Sequence, residues 1–276
     1  MDIRFQASQK EVKGMNTEEL RSNFLMQDLM KADVLTLVYA HYDRMITGGV
    51  KPVTEKVLLR NDAELRADYF LERREIGIIN VGGAGIVEAD DAVYELNKLD
   101  ALYLGKGNKL VSFSSKSKSS PANFYLVSAL AHHAYPNRKM SKEEASPLAL
   151  GEAATANKRT IYKYIHPDGI PSCQLVMGLT VLEEGSVWNS VPPHTHTRRT
   201  EVYFYFDLPE QHRVFHFMGE PTETRHIVMG NHEAVISPAW SMHYGVGTAN
   251  YGFIWAMAGE NQAFTDMDQV ALMEIR

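Results

Sequence analysis

The stretch that decides the fold is PHTHTRRTEVYFYF, residues 193–206. His194 and His196 are two residues apart, so on an extended segment both side chains point to the same face. Glu201 follows after a gap that leaves room for a short loop, and it begins a run with the composition of a β-strand. A further histidine, His243, ends the segment PAWSMH and would reach the others from a separate strand. Three imidazoles and one carboxylate in this pattern predict a single metal ion in a β-rich fold.

Composition narrows the class of protein. The formal net charge of the 276 residues is -6 and the pI is about 6.0, which argues against a general nucleic-acid binder with a basic surface. The first residues, MDIRFQ, lack the apolar stretch of a signal peptide, and no apolar run is long enough to span a membrane. The single cysteine, Cys173, excludes an internal disulfide and fits a reducing compartment. We therefore expect a cytoplasmic protein that binds neither nucleic acid nor membranes.

The rest of the pattern predicts an all-β protein with minor helices. Asn16 is an N-cap candidate, and Glu19 can complete the capping interaction of a helix over residues 17–31. Beyond it, short apolar runs alternate with glycine-rich turns, which favours antiparallel sandwiches or barrels. Residues 136–158 are polar and rich in small side chains, and we interpret them as the connection between two such lobes.

The two histidine segments resemble the two signature motifs of the cupin superfamily, which consists of small β-barrels with a metal at the barrel mouth. The first segment has a glycine upstream, Gly185, and the second has Pro238 five residues before His243. Trp240 stands where the general cupin pattern has glycine, and the glycine that usually follows the glutamate is absent. Neither departure affects a ligand.

A narrower resemblance covers nearly the whole chain. The segments QLVMGLT (174–180), ETRHIVM (223–229) and ENQAF (260–264) are similar to the 5-keto-4-deoxyuronate isomerase family, formally the 4-deoxy-L-threo-5-hexosulose-uronate ketol-isomerases. In the first half, IINVGG (78–83) and DALYLG (100–105) also look like this family. A shared metal motif alone would not produce similarity in both halves.

This resemblance implies two cupin-like lobes, a degenerate one without metal ligands over residues 1–150 and a metal-binding one over residues 151–276. It assigns the metal ligands to His194, His196, Glu201 and His243. It also implies one Zn²⁺ per subunit, a homohexamer and a small anionic keto-uronate substrate. The reaction would be an aldose–ketose isomerisation of 5-dehydro-4-deoxy-D-glucuronate to 3-deoxy-D-glycero-2,5-hexodiulosonate in pectin and uronate degradation. The ligand types alone leave iron, manganese and nickel open as well.

The sequence does not identify the general base. Tyr203 and Tyr205 share the face of Glu201 by strand alternation, which makes them candidates to line the pocket and act in catalysis. Four other histidines are also open as bases, namely His212, His216, His226 and His232. A substrate carboxylate needs a cation, and the candidates are Arg198, Arg199, Arg225 and Lys163. A surface ion pair is the alternative role for each of these four cations.

Three other functions remain open. The first is 5-deoxyglucuronate isomerase of inositol catabolism, which would share the fold and the metal ligands but fits the narrower motifs less well. The second is a metal-dependent oxygenase, because iron cupins use similar ligands. The third is a sugar-binding cupin without enzymatic activity, although a binding protein needs no intact metal site. Turnover of the two deoxyuronates and consumption of oxygen distinguish these alternatives.

Overall fold

The computed structural model describes residues 1–263 and 265–276. Its two α-helices lie near the N-terminus, α1 (Gln9–Val12) and α2 (Thr17–Phe24). Three single 3-10 turns occur at Ala63–Leu65, Ala153–Thr155 and Leu272–Glu274. Among the described residues, no helix has the length and apolar character needed to cross a membrane.

The predicted cap of α2 is confirmed, but its predicted length is wrong. The Asn16 side chain accepts the backbone N–H of Glu19, and the Glu19 carboxylate accepts the backbone N–H of Asn16. The helix was expected over residues 17–31, yet it ends at Phe24. The next residue, Leu25, has an extended backbone and is buried as part of a strand, so tertiary pairing replaces the last predicted turns.

Short strands make up most of the regular secondary structure. Those before residue 141 are β1 (Asp2–Arg4), β2 (Leu25–Met26), β3 (Leu35–Ala40), β4 (Ile46–Val50), β5 (Val57–Leu58), β6 (Arg74–Asn80), β7 (Gly85–Ala89), β8 (Ala92–Leu96), β9 (Ala101–Leu104), β10 (Val111–Ser115), β11 (Phe124–Leu130) and β12 (Arg138–Met140). Those after it are β13 (Leu148–Leu150), β14 (Arg159–Ile165), β15 (Val176–Leu182), β16 (Trp188–Asn189), β17 (His194–Thr195), β18 (Arg199–Phe206), β19 (Val214–Glu220), β20 (Glu223–Met229), β21 (Ala234–Ser237), β22 (Met242–Gly247), β23 (Gly252–Gly259) and β24 (Asp268–Gln269).

The sheets repeat one arrangement twice. The first seven-stranded sheet has the order β1-β3-β4-β11-β6-β9-β12 and accompanies a four-stranded sheet, β5-β10-β7-β8. The second has the order β13-β14-β15-β23-β18-β21-β2 and accompanies β16-β22-β19-β20. Strand β6 therefore holds the place in its sheet that β18 holds in the other. This repetition confirms the predicted all-β class with two cupin-like lobes.

The two lobes share strands and core. Strand β2, from the N-terminal segment, pairs with β21 at the end of the second seven-stranded sheet. The largest apolar core contains side chains from both halves, and within it the ring of Tyr125 stacks on that of Phe204 at 4.3 Å between centroids. The division into residues 1–150 and 151–276 stays a prediction.

A buried carboxylate also joins the lobes. Glu75, on β6, has no exposed surface and accepts a hydrogen bond of 2.8 Å from the Tyr103 hydroxyl. It accepts three more from the backbone N–H groups of Cys173, Gln174 and Leu175, at 2.7, 2.9 and 2.9 Å. Glu75 therefore satisfies three consecutive donors of the loop that leads into β15 of the second lobe.

Candidate metal centre

The four predicted ligand residues converge. Nε2 of His194 lies 3.0 Å from Nε2 of His196 and 3.1 Å from Nε2 of His243. A carboxylate oxygen of Glu201 lies 2.9 Å from Nε2 of His196 and 2.7 Å from Nε2 of His243. All four donor atoms lie within 4.8 Å of one another, and we call them the donor ring. Within residues 1–263 and 265–276, no second group of this kind occurs.

The strands explain how residues far apart in sequence meet. His194 lies on β17, Glu201 on β18 and His243 on β22, while His196 lies in the link between β17 and β18. Glu201 points into the barrel from the second seven-stranded sheet, and His243 comes from the four-stranded sheet that accompanies it. His194 comes from a separate two-stranded sheet, β17-β24, so residues from three sheets and one link meet in the donor ring.

Hydrogen bonds direct acceptor atoms toward the centre of the ring. Nδ1 of His196 lies 2.6 Å from the backbone oxygen of Asp266; because a carbonyl only accepts, Nδ1 carries the proton. In a neutral imidazole the Nε2 atom then presents a lone pair, and this lone pair faces Glu201 at 2.9 Å. Two acceptors at this distance repel each other unless a cation lies between them. Two ligand atoms that bind one metal ion at right angles, each with a bond of about 2.1 Å, would lie about 3 Å from each other. The spacing and the donor types fit a divalent metal ion.

Burial sets the protonation of His194. Burial, reinforced by the neighbouring His243, lowers the pKa of His194 to about 2, so its imidazole is neutral at pH 7. Three imidazole ligands and one carboxylate would leave a divalent ion a residual positive charge, which suits an electron-rich substrate oxygen.

The donor ring faces a cavity of about 250 Å³. Three residues of the donor ring form part of its wall, namely His194, His196 and Glu201. The other polar side chains in the wall are Arg159, Thr180, Ser190, Tyr203 and Gln269. Aromatic and aliphatic groups complete it, including Phe253 and Trp255. A cavity with an apolar wall and a few convergent polar groups is typical of a small-molecule site.

The two tyrosines named as catalytic candidates occupy different positions. Tyr203 lines the cavity, and its hydroxyl lies 2.8 Å from the Ser190 hydroxyl. Burial and the nearby Glu201 raise the pKa of Tyr203 well above its usual value, so the phenol keeps its proton. Tyr205 is not part of the cavity wall, and its hydroxyl lies 2.9 Å from Nδ1 of His216 inside the barrel.

The other candidate histidines lie outside the cavity wall. His216 is fully buried, and burial lowers its pKa to about 3. His232 stacks on Phe204 at 5.9 Å between centroids. His226 is exposed on β20, and Nδ1 of His212 bonds the Thr248 hydroxyl at 2.9 Å. None of the four is therefore positioned in this structure as a base at the cavity surface.

None of the four cations proposed to bind a substrate carboxylate lines the cavity. The Arg198 guanidinium pairs with Asp266 and Asp268 at 2.5 and 2.9 Å, and Arg225 pairs with Glu223 at 2.8 Å. Arg199 is buried and donates to backbone oxygens at 2.7 and 3.0 Å. Lys163 is not part of the cavity wall.

Sequence reasoning missed Arg159, the arginine that does line the cavity. Its Nη1 donates to the backbone oxygen of Asn157 at 2.9 Å, and no carboxylate of the described residues is within ion-pair distance of it. Arg159 and Ile161 alternate on the cavity side of β14. The alternation of side chains along the strand RTIYKYI predicts that Arg159 shares a face with Ile161 and Lys163. It does not predict which end of that face lines the cavity.

A barrel with three imidazoles and a carboxylate at its cavity defines a cupin with a candidate metal centre. An IolB-like protein from Salmonella typhimurium LT2 superposes with a TM-score of 0.72 at 15% identity, over 90% of this chain and 97% of that chain. Oxalate decarboxylase from Lactobacillus farciminis superposes with a TM-score of 0.56 at 10% identity, over 83% of this chain and 79% of that chain. Likeness at these identities shows the fold alone.

The chain belongs to the KduI/IolB family, whose model matches residues 25–275. The 4-deoxy-L-threo-5-hexosulose-uronate ketol-isomerase of Shouchella clausii (strain KSM-K16) is 54% identical to this chain over 276 residues. The alignment covers 100% of both chains. The protein of the same name from Caldicellulosiruptor bescii is 51% identical with the same complete coverage. The family resemblance inferred from the sequence is confirmed.

Proposed function

We propose that this protein is a metal-dependent ketol-isomerase that converts 5-dehydro-4-deoxy-D-glucuronate to 3-deoxy-D-glycero-2,5-hexodiulosonate in pectin and uronate degradation. The observation that carries the proposal is the donor ring in the wall of a cavity that also contains a guanidinium. A keto-uronate needs both features, since it has a carbonyl to polarise and a carboxylate to bind. Full-length identity of 51–54% to relatives with this activity in their names supports the same substrate class.

The metal ligands we propose are His194, His196, Glu201 and His243, with one Zn²⁺ per subunit. An ion held there would polarise the substrate carbonyl and stabilise the negative charge that develops on its oxygen. The choice of zinc follows the family resemblance, because nitrogen and oxygen donors also suit iron, manganese and nickel.

Side chains of the wall would orient the substrate. Arg159 would bind the carboxylate, for which a planar guanidinium offers two parallel N–H donors. Tyr203 keeps its phenol proton and would donate a hydrogen bond to a substrate oxygen. Phe253 and Trp255 would exclude water from the carbon skeleton.

Removal of the metal with a chelator is expected to lower turnover of 5-dehydro-4-deoxy-D-glucuronate at least about a hundredfold, because the charge on the carbonyl oxygen loses its stabilisation. Zn²⁺ is expected to restore it. The measurement is product formation together with metal analysis of the same preparation. Metal-replete protein that converts only 5-deoxyglucuronate would favour the inositol-pathway activity instead. Oxygen consumption with a redox-active metal would favour an oxygenase.

The substitution Arg159→Gln is expected to lower kcat/KM by about 30- to 100-fold, mainly through KM, because the substrate carboxylate loses a charge-assisted pair. Arg159→Lys should recover part of the loss, since a point charge replaces the planar fork. The matched control is Arg225→Gln, whose guanidinium pairs with Glu223 away from the cavity and should leave kcat/KM unchanged. Equal KM values for Arg159→Gln and the unaltered protein would contradict the assignment.

We also propose a homohexamer in the cytoplasm. The hexamer follows the family resemblance, and a reducing compartment agrees with a chain whose one cysteine has no disulfide partner. Light scattering should give the mass of six copies of the 31.1 kDa chain. A monomer or dimer mass at assay concentration would contradict the hexamer.

A further inference from the structure

The first lobe has a cavity of its own, at the barrel end that corresponds to the metal centre. It has a volume of about 270 Å³, and its wall includes Tyr39 on β3, Arg74 on β6 and Leu130 on β11. Arg74 begins β6, and Glu201 lies near the beginning of β18, which holds the equivalent place in its sheet. We call this space the first-lobe cavity. No metal-ligand group occurs there among the described residues.

Arg74 is the most unusual side chain of the first-lobe cavity. Only 4% of it is exposed, and it has no ion pair with any described carboxylate. Its Nε donates to the Ser128 hydroxyl at 3.0 Å, and its Nη2 donates to the backbone oxygens of Ser128 and Arg44 at 3.1 and 2.5 Å. All of these acceptors are neutral. Burial lowers the pKa of Arg74 to about 10, so it stays cationic at pH 7. A buried cation without a counter-charge is unfavourable.

The first-lobe cavity contains a second guanidinium, that of Arg73. Arg73 also lines the cavity; its Nη2 contacts the backbone oxygens of Leu65 and Arg66, and its nearest carboxylate approach is 4.0 Å, to Glu72. No hydrogen bond to the described residues uses Nη1 of Arg73 or of Arg74.

The ring of His41 lies 5.2 Å from that of Tyr39, and the Arg74 guanidinium lies 5.9 Å from the same tyrosine ring. One carboxylate, Glu64, also lines the cavity, so two guanidinium charges face a single negative charge. The remaining wall is apolar and includes Leu65 and Phe70.

We propose that the first-lobe cavity binds a small organic carboxylate of about the size of a sugar acid. The carboxylate would pair with Nη1 of Arg73 and of Arg74, which supplies the missing counter-charge. The carbon skeleton would lie against Tyr39 and Phe70. A monoanion fits better than phosphate, because Glu64 repels a second negative charge. This site uses no residue of the donor ring or of the cavity beside it.

Calorimetric titration of the holoenzyme with D-glucuronate tests the proposal. We expect binding that persists in Arg159→Gln, which alters only the cavity beside the donor ring. Arg73→Gln should weaken it about tenfold or more, and Glu64→Gln should strengthen it severalfold by removing the like charge. Both positions are exposed, so neither substitution threatens the fold. Myo-inositol, which has six carbons but no charge, is the ligand control and should not bind, and phosphate should bind more weakly.

Two outcomes would overturn the inference. One is the absence of heat with D-glucuronate at tens of millimolar. The other is binding that Arg159→Gln abolishes while Arg73→Gln and Glu64→Gln leave it unchanged, which would assign all binding to the cavity beside the donor ring. Neither outcome affects the proposed isomerase, whose failure would appear as lost turnover of the keto-uronate.

Discussion

Replacement of Glu201 by glutamine is expected to lower kcat at least about a thousandfold and to reduce the metal content of the purified protein. Glu201 is the one anionic donor of the ring, is 4% exposed, and lies 2.9 and 2.7 Å from Nε2 of His196 and His243. Glutamine keeps the shape but removes the charge, and its amide N–H₂ can turn toward the imidazole lone pairs. An ion held by the donor ring would then lose its one anionic ligand. The measurement is kcat with metal analysis.

The matched control for this substitution is Glu223→Gln on β20. Glu223 is partly exposed and pairs with Arg225 at 2.8 Å, away from the cavity, so activity and metal content should stay within about twofold of the unaltered protein. Circular dichroism should show that both variants fold. Full metal content with undiminished turnover in Glu201→Gln would remove Glu201 from the proposed ligands.

The substitution Glu75→Ala is expected to lower the free energy of unfolding by about 3–5 kcal/mol, because it leaves buried donors without an acceptor. Three of these donors are consecutive backbone N–H groups of the loop before β15, and the fourth is the Tyr103 hydroxyl. Glu75→Gln should cost less, since its amide oxygen can still accept. Urea denaturation followed by tryptophan fluorescence measures the change.

An exposed carboxylate serves as the control for Glu75. Glu95 pairs with Lys116 at 2.7 Å on the surface, and Glu95→Ala should leave the denaturation midpoint nearly unchanged. Equal midpoints for Glu75→Ala and Glu95→Ala would show that the loop finds other acceptors, and would contradict the role of Glu75 in joining the lobes.

The donor residues could be predicted from the sequence because their pattern is local. His194 and His196 are two residues apart and Glu201 lies near the start of the next strand, so the short link between β17 and β18 is enough to bring these three together. The pairing with His243 required the motif resemblance as well. The structure brings together all four residues that the sequence named.

Arg159 and Glu75 could not be found in this way, because their surroundings are set by distant segments. Arg159 lines the cavity while Lys163, on the same face by alternation, does not, and the register of β14 against β15 shifts just after Lys163. Glu75 meets donors about a hundred residues away. The end of α2 was missed for a similar reason, since Leu25 is drawn into a sheet built mostly from the other half of the chain.

A strand of two residues covers one edge of the seven-stranded sheet that contains Glu201. Leu25 and Met26 pair with Val235 and Ala234 on β21, which would otherwise be the last strand on that side. An uncovered edge offers free backbone N–H and C=O groups to neighbouring molecules and promotes aggregation. A chain without residues 25–26 would therefore leave the backbone edge of β21 open to pairing with strands of other molecules.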